Sequence, residues 1–107
     1  MPRAASQANI TFTGNVIVWR GPAPYLFVPL PAGVVDAVRM AAREASYGWG
    51  VVPVAAQVGD VAFTTSLFPK DGGYLLPLKV AVRKAAGIAE GDRISVRLAV
   101  VRTGRGA

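Results

Sequence analysis

The stretch from Thr64 to Asp92 carries a chain-breaking residue at nearly every point where a segment would end. An apolar, hydroxyl-rich run (Val61-Ala62-Phe63-Thr64-Thr65-Ser66-Leu67-Phe68) meets Pro69-Lys70-Asp71-Gly72-Gly73, which supplies the glycines that a hairpin needs at positive φ. Tyr74-Leu75-Leu76 then pairs back. Pro77 suits the start of a helix, Gly87 suits its left-handed stop, and Ile88 is the apolar residue that folds over the last turn. Gly91-Asp92 turns the chain into residues 93–102, where Ile94, Val96, Leu98 and Val100 alternate with Arg93, Ser95, Arg97 and Ala99. The pattern predicts strand, tight turn, strand, short helix and a last strand with one basic face.

The first half repeats this logic less sharply. Ile10, Phe12, Val16 and Val18 share one face of an extended segment over 10–19, with a bulge or bend predicted at Gly14. Gly21-Pro22-Ala23-Pro24 interrupts, and Tyr25-Leu26-Phe27-Val28 resumes until Pro29-Leu30-Pro31. Val34, Val35, Val38, Ala41, Ala42 and Ala45 then fall at helical spacing, with Asp36 near the helix N-terminus. Residues 51–58 are so rich in valine and alanine that they read as a strand buried on both faces. Tyr25-Leu26-Phe27-Val28-Pro29-Leu30 and Tyr74-Leu75-Leu76-Pro77-Leu78 each lead into a helix, an echo that duplication or convergence would explain equally.

Six strands and two helices predict a mainly β (α+β) fold, a small barrel capped by helices. Only two connections have room for a helix, which disfavours a doubly wound parallel sheet. The expected organisation is one domain over residues 9–102, with disordered tails at 1–8 and 103–107.

The chain has no cysteine and no histidine, which excludes disulfides, thiolate nucleophiles, the usual zinc sites and imidazole acid–base catalysis. No cofactor and no metal are expected. No stretch is apolar enough for a signal peptide or a membrane span, so a cytoplasmic location is expected, as a monomer or homodimer. The net charge is +6, and residues from Lys70 onward hold eight basic side chains against three acidic ones. Such asymmetry fits either a polyanion-binding face or a solvated basic surface.

Thr65-Ser66-Leu67-Phe68-Pro69, Gly73-Tyr74, Leu76-Pro77-Leu78-Lys79, Val82-Arg83-Lys84, Gly87-Ile88 and Gly91-Asp92 together resemble the signature of an uncharacterised prokaryotic family, domain of unknown function nineteen-oh-five. Phe12-Thr13-Gly14 and Phe27-Val28-Pro29-Leu30-Pro31 are similar to its first half. This chain has Phe63-Thr64 where the family often has tryptophan, and its Tyr47-Gly48-Trp49-Gly50 is more apolar than usual. The resemblance implies a double-split β-barrel capped by helices and brings no activity, substrate or catalytic residues. Residues 76–96 also resemble, locally, the AbrB/MazE type of DNA-binding unit.

Three functional readings follow. The leading one is a non-enzymatic binding or interaction module with an unknown ligand or protein partner, in which Thr65 and Ser66 with Trp19 or Trp49 line a pocket. The second is a nucleic-acid-binding protein using Lys79, Arg83, Lys84, Arg93 and Arg97, provided that the helix and strand faces carrying them adjoin. The third is a hydrolase or transferase at Thr65 and Ser66, for which only Lys70 or Lys79 could serve as base. Asp60, Asp71 and Asp92 each stand beside glycine and read as turn residues.

Overall fold

The computed structural model describes residues 9–22, 24–44 and 50–101. Among these lie seven strands and two helices: β1 (Ile10–Asn15), β2 (Ile17–Trp19), β3 (Tyr25–Pro29), α1 (Ala32–Glu44), β4 (Val52–Val58), β5 (Val61–Lys70), β6 (Gly73–Leu78), α2 (Val80–Ala86) and β7 (Arg93–Val100). The strands form one curled antiparallel sheet in the order β1-β7-β4-β5-β6-β3-β2.

The two outermost strands of that order are joined through a single residue, Val16. The extended run over 10–19 is thus two strands where the sequence pattern predicts one. The break falls at Val16, and Gly14 stays in regular register opposite Ile94. The Val16 amide donates to the Asp92 carbonyl at 2.8 Å, and the Gly91 amide donates to the Val16 carbonyl at 2.8 Å, so neither backbone group is stranded at the crossing. The Asp92 carboxylate accepts from the Ala89 amide at 2.9 Å, which fixes the turn that supplies these partners.

β5 makes a matching crossing. Its first part pairs with β4 as far as Leu67, opposite Val52, and from Phe68, opposite Leu75, it pairs with β6. The sheet therefore consists of two halves, β1-β7-β4-β5 and β5-β6-β3-β2, that meet at Val16 and at Leu67-Phe68. The path β1/β2-β3-α1-β4 is repeated by β5-β6-α2-β7, and β3 pairs with β6 as β4 pairs with β7. Pro29-Leu30 and Pro77-Leu78 occupy equivalent places, each ending three residues after the proline in a helix start, at Ala32 and Val80. The echo is structural as well as sequential.

Inside the curl, Phe12, Val28, Val54, Leu67, Leu76, Leu78, Val96 and Leu98 belong to one buried cluster. α1 adds Val35, Val38 and Ala42 and lies against β1, β6 and β7. Asp36 lies beyond the first turn of α1 and pairs with Arg39 at 3.9 Å, so the predicted dipole role does not arise. β4 alternates strictly, burying Val52, Val54, Ala56 and Val58 while Ala55 is exposed. Its second face is open, because small alanine and valine side chains record an apolar strand without recording what covers it.

Pro77 lies within β6, opposite Phe27, and α2 begins only at Val80 with Lys79 as its extended N-terminal cap residue. Pro69 likewise belongs to β5, and the hairpin turn is Asp71-Gly72, both at positive φ. Gly87 ends α2 at φ 67, and the Gly87 and Ile88 amides both donate to the Arg83 carbonyl. A Cβ at Gly87 would meet nothing within 4 Å, so only the backbone conformation selects glycine. Gly87→Ala is expected to lower stability by about 1 kcal/mol in urea unfolding, with Gly87→Asn losing less. Equal stability of all three would contradict this account of the helix stop.

Candidate functional site

Side-chain alternation gives the two halves of the sheet different outer faces. On β1 and β7 the outward residues are Thr11, Thr13, Asn15, Arg93, Ser95 and Arg97, a polar and basic surface. Thr13 and Ser95 lie side by side, their hydroxyls 3.4 Å apart. The other half turns Ile17 and Trp19, Tyr25 and Phe27, Leu75 and Phe68 outward, with Trp19 at 56% exposure and Phe68 at 43%. Large apolar residues exposed together mark a binding surface more often than isolated ones do.

A cleft of about 820 Å³ lies where these faces meet. Its apolar wall comes from Tyr25 and Phe27 on β3, Phe68 on β5 and Pro77 on β6. Phe27 is the middle ring, with its centroid 5.4 Å from that of Tyr25 and 6.0 Å from that of Phe68, the latter pair tilted by 55°. Thr64, Thr65 and Ser66 of β5 also line the cleft, together with Pro53 and Val54 of β4. Lys79, held at the start of α2, contributes an ammonium, and among the described residues no carboxylate lines the cleft.

A second hollow of about 450 Å³ shares Phe27 and Phe68 with the cleft and continues to Trp19, Ile17, Leu75 and Lys70. The Trp19 ring lies directly against Gly21, where any Cβ would collide with it. Lys70 is exposed, its ammonium 3.8 Å from the Asp71 carboxylate.

Thr65 and Ser66 line a concave site with aromatic side chains, and the aromatics there are Tyr25, Phe27 and Phe68. Trp19 belongs to the adjoining hollow, and Trp49 lies outside the described residues. Every residue from Tyr25 to Val28 is apolar, so period alone does not say which face of that strand is outward. The register Phe27↔Pro77 and Phe68↔Leu75 is what gathers the three rings.

The five cations of the second reading are divided among three places. Lys79 lines the cleft. Arg83 and Lys84 border a smaller hollow with Val80, Gly87 and Ile88, and the Arg83 Nε is enclosed there without a hydrogen-bond partner. Arg93 and Arg97 stand on β7, with Arg93 donating to Asn15 Oδ1 at 3.3 Å and Arg97 opposite Thr11 and Gln57. α2, which carries Arg83 and Lys84, packs against β5. Asp60, Asp71 and Asp92 occupy three separate turns. Among the described residues, no helix is long and apolar enough to cross a membrane.

No curated protein matches the chain. The model of the family described as Domain of unknown function (DUF1905) matches residues 12–98, which takes in both sheet halves, both helices and every lining residue of the cleft except Val101. The chain belongs to that family.

Proposed function

We propose that this protein is a non-catalytic, cytoplasmic binding module whose ligand joins a flat apolar part to an anionic group, held in the cleft between the sheet halves. The curled sheet with its two crossings supports reading the fold as the double-split β-barrel that the family resemblance implies. The observation that carries the functional reading is the joint placement of an aromatic wall, three hydroxyl-bearing residues and Lys79 in one cleft that, among the described residues, no carboxylate lines. Apolar walls with a few convergent polar groups are the usual make-up of small-ligand sites. Lys79 and the hydroxyls complement an anion, while Phe27 and Phe68 offer ring faces to a planar group.

Catalysis at Thr65 or Ser66 has weaker support. A hydroxyl nucleophile needs a base within hydrogen-bonding reach, and among the described residues no hydrogen bond links Lys79 to Thr64, Thr65 or Ser66. Nucleic-acid binding through Lys79, Arg83, Lys84, Arg93 and Arg97 acting together has weaker support, since Lys79 lines the cleft, Arg83 and Lys84 border another hollow, and Arg93 and Arg97 stand on β7.

Titration of isotope-labelled protein with 2-naphthoate, followed by amide chemical shifts, tests the reading. Shifts are expected at Phe27, Thr65, Ser66, Phe68 and Lys79. Lys79→Ala should weaken 2-naphthoate roughly tenfold, the scale of one charge-assisted hydrogen bond, and leave the neutral analogue 2-naphthalenemethanol nearly unchanged. Shifts confined to the β7 face, or equal weakening of both probes, would overturn it.

A further inference from the structure

The cleft and the second hollow are two bays of one surface, because Phe27 and Phe68 line both. Four rings follow one another across it: Tyr25 beside Phe27, Phe27 beside Phe68, and Trp19 directly opposite Tyr25 in the β2–β3 register. A lysine stands in each bay, Lys79 in the first and Lys70 in the second. Among the described residues neither bay is lined by a carboxylate, although Asp71 lies near Lys70 and reduces its pull on an anion.

A ligand with one ring and one anion fills only one bay, so two bays in series with the same equipment fit a ligand in which the ring-and-anion unit recurs. We infer that this surface holds single-stranded nucleic acid, with one base resting on the Phe27 and Phe68 rings, the next on Trp19, and the phosphates flanking Lys79 and Lys70. The inference rests on the reading of the cleft given above and extends it from one ligand unit to two. Base–aromatic stacking is indifferent to sequence, since every base has a π-face, whereas a duplex keeps its bases stacked inside and offers this surface only phosphates. The sheet face is open and the chain carries +6, so approach of a polyanion is favoured. The arginines of β7 have no part in this track.

Fluorescence anisotropy with a short labelled oligothymidylate tests the inference, with thymidine monophosphate, a duplex of equal length and heparin as competitors. The oligothymidylate is expected to bind at least about tenfold more tightly than the monophosphate, through the second stacked base, and to be displaced poorly by the duplex. Trp19→Ala and Phe68→Ala should each weaken it about tenfold. Phe68→Leu keeps the apolar volume, guards against a folding defect, and should weaken binding as well. Lys79→Ala should reduce the salt slope by about 1, and Arg93→Ala/Arg97→Ala should leave affinity within about twofold.

Equal affinity for strand and monophosphate overturns the inference and, if 2-naphthoate still shifts the cleft, leaves the small-ligand reading standing. Failure of every probe sinks both. Equal competition by heparin or duplex, or indifference to Trp19→Ala and Phe68→Leu, also overturns it by reducing the contact to charge alone.

Discussion

Leu67→Ala is expected to lower the unfolding free energy by about 3 kcal/mol, within the range of roughly 2–5 kcal/mol measured for leucine truncations in cores. Leu67 is fully buried and is the last residue of β5 paired to β4, before the strand changes partner at Phe68. Truncation removes apolar contacts at the point where the two halves of the sheet are joined. Strands on both sides are held in register, so the surroundings collapse little into the space and a cavity cost adds to the lost transfer energy. For a domain of this size the loss corresponds to a melting temperature lower by roughly 12–24 °C. Ala62→Ser, an exposed substitution earlier on the same strand, should stay within about 0.5 kcal/mol. Urea unfolding with an unchanged m-value would show that the fold persists. A loss below about 1 kcal/mol would mean that the junction at Leu67 is not a packed part of the core.

Most strands and both helices were legible because their punctuation is local. Asp71-Gly72 makes its turn from two residues at positive φ, and Gly87 ends α2 from one. Such conformations select residue types directly. Pro77 lies in a strand and not at a helix start: proline is acceptable in both, the first turn of a helix and a strand position that donates no ladder hydrogen bond, and sequence does not separate them. Pro77 and Pro69 take the second. The split at Val16 was hidden for a different reason. Side-chain alternation continues from Phe12 through Gly14 to Val16 without interruption, and the partners that draw the first part of the run away from the second, β7 and Gly91-Asp92, lie far away in the chain.

The candidate site was legible in its polar half only. Thr65 and Ser66 stand out against an apolar strand, and Lys79 against an apolar junction. The aromatic half depends on which face of β3 and β6 meets the core, and a segment apolar on both faces carries no record of that choice. Leu26 and Val28 are buried, which leaves Tyr25 and Phe27 turned outward. An outward pair of rings costs solubility, which is the physical reason to look for a ligand there.

Gly14→Ala is expected to destabilise the protein by about 1–3 kcal/mol, although alanine is an ordinary residue for a strand of this kind. The φ of Gly14 lies outside the left-handed region, and the residue pairs normally with Ile94, so conformational freedom does not explain the glycine. Space does. A Cβ at this position would come 2.7 Å from Val28 Cγ1 and 3.2 Å from the Pro29 carbonyl oxygen, where β3 passes close inside the curl. Val28 is fully buried and β-branched, so it has neither a free rotamer nor an open direction in which to yield. The two contacts are separable by a double-mutant cycle. Val28→Ala alone costs transfer and cavity energy, but it removes the Cγ1 atom that blocks residue 14. The double variant Gly14→Ala/Val28→Ala should therefore be more stable than the sum of the single losses predicts, by about 0.5–3 kcal/mol. The Pro29 carbonyl remains in either background and keeps the rescue incomplete. Strict additivity would show instead that the glycine is required by the backbone path, returning the bend predicted from sequence as its explanation.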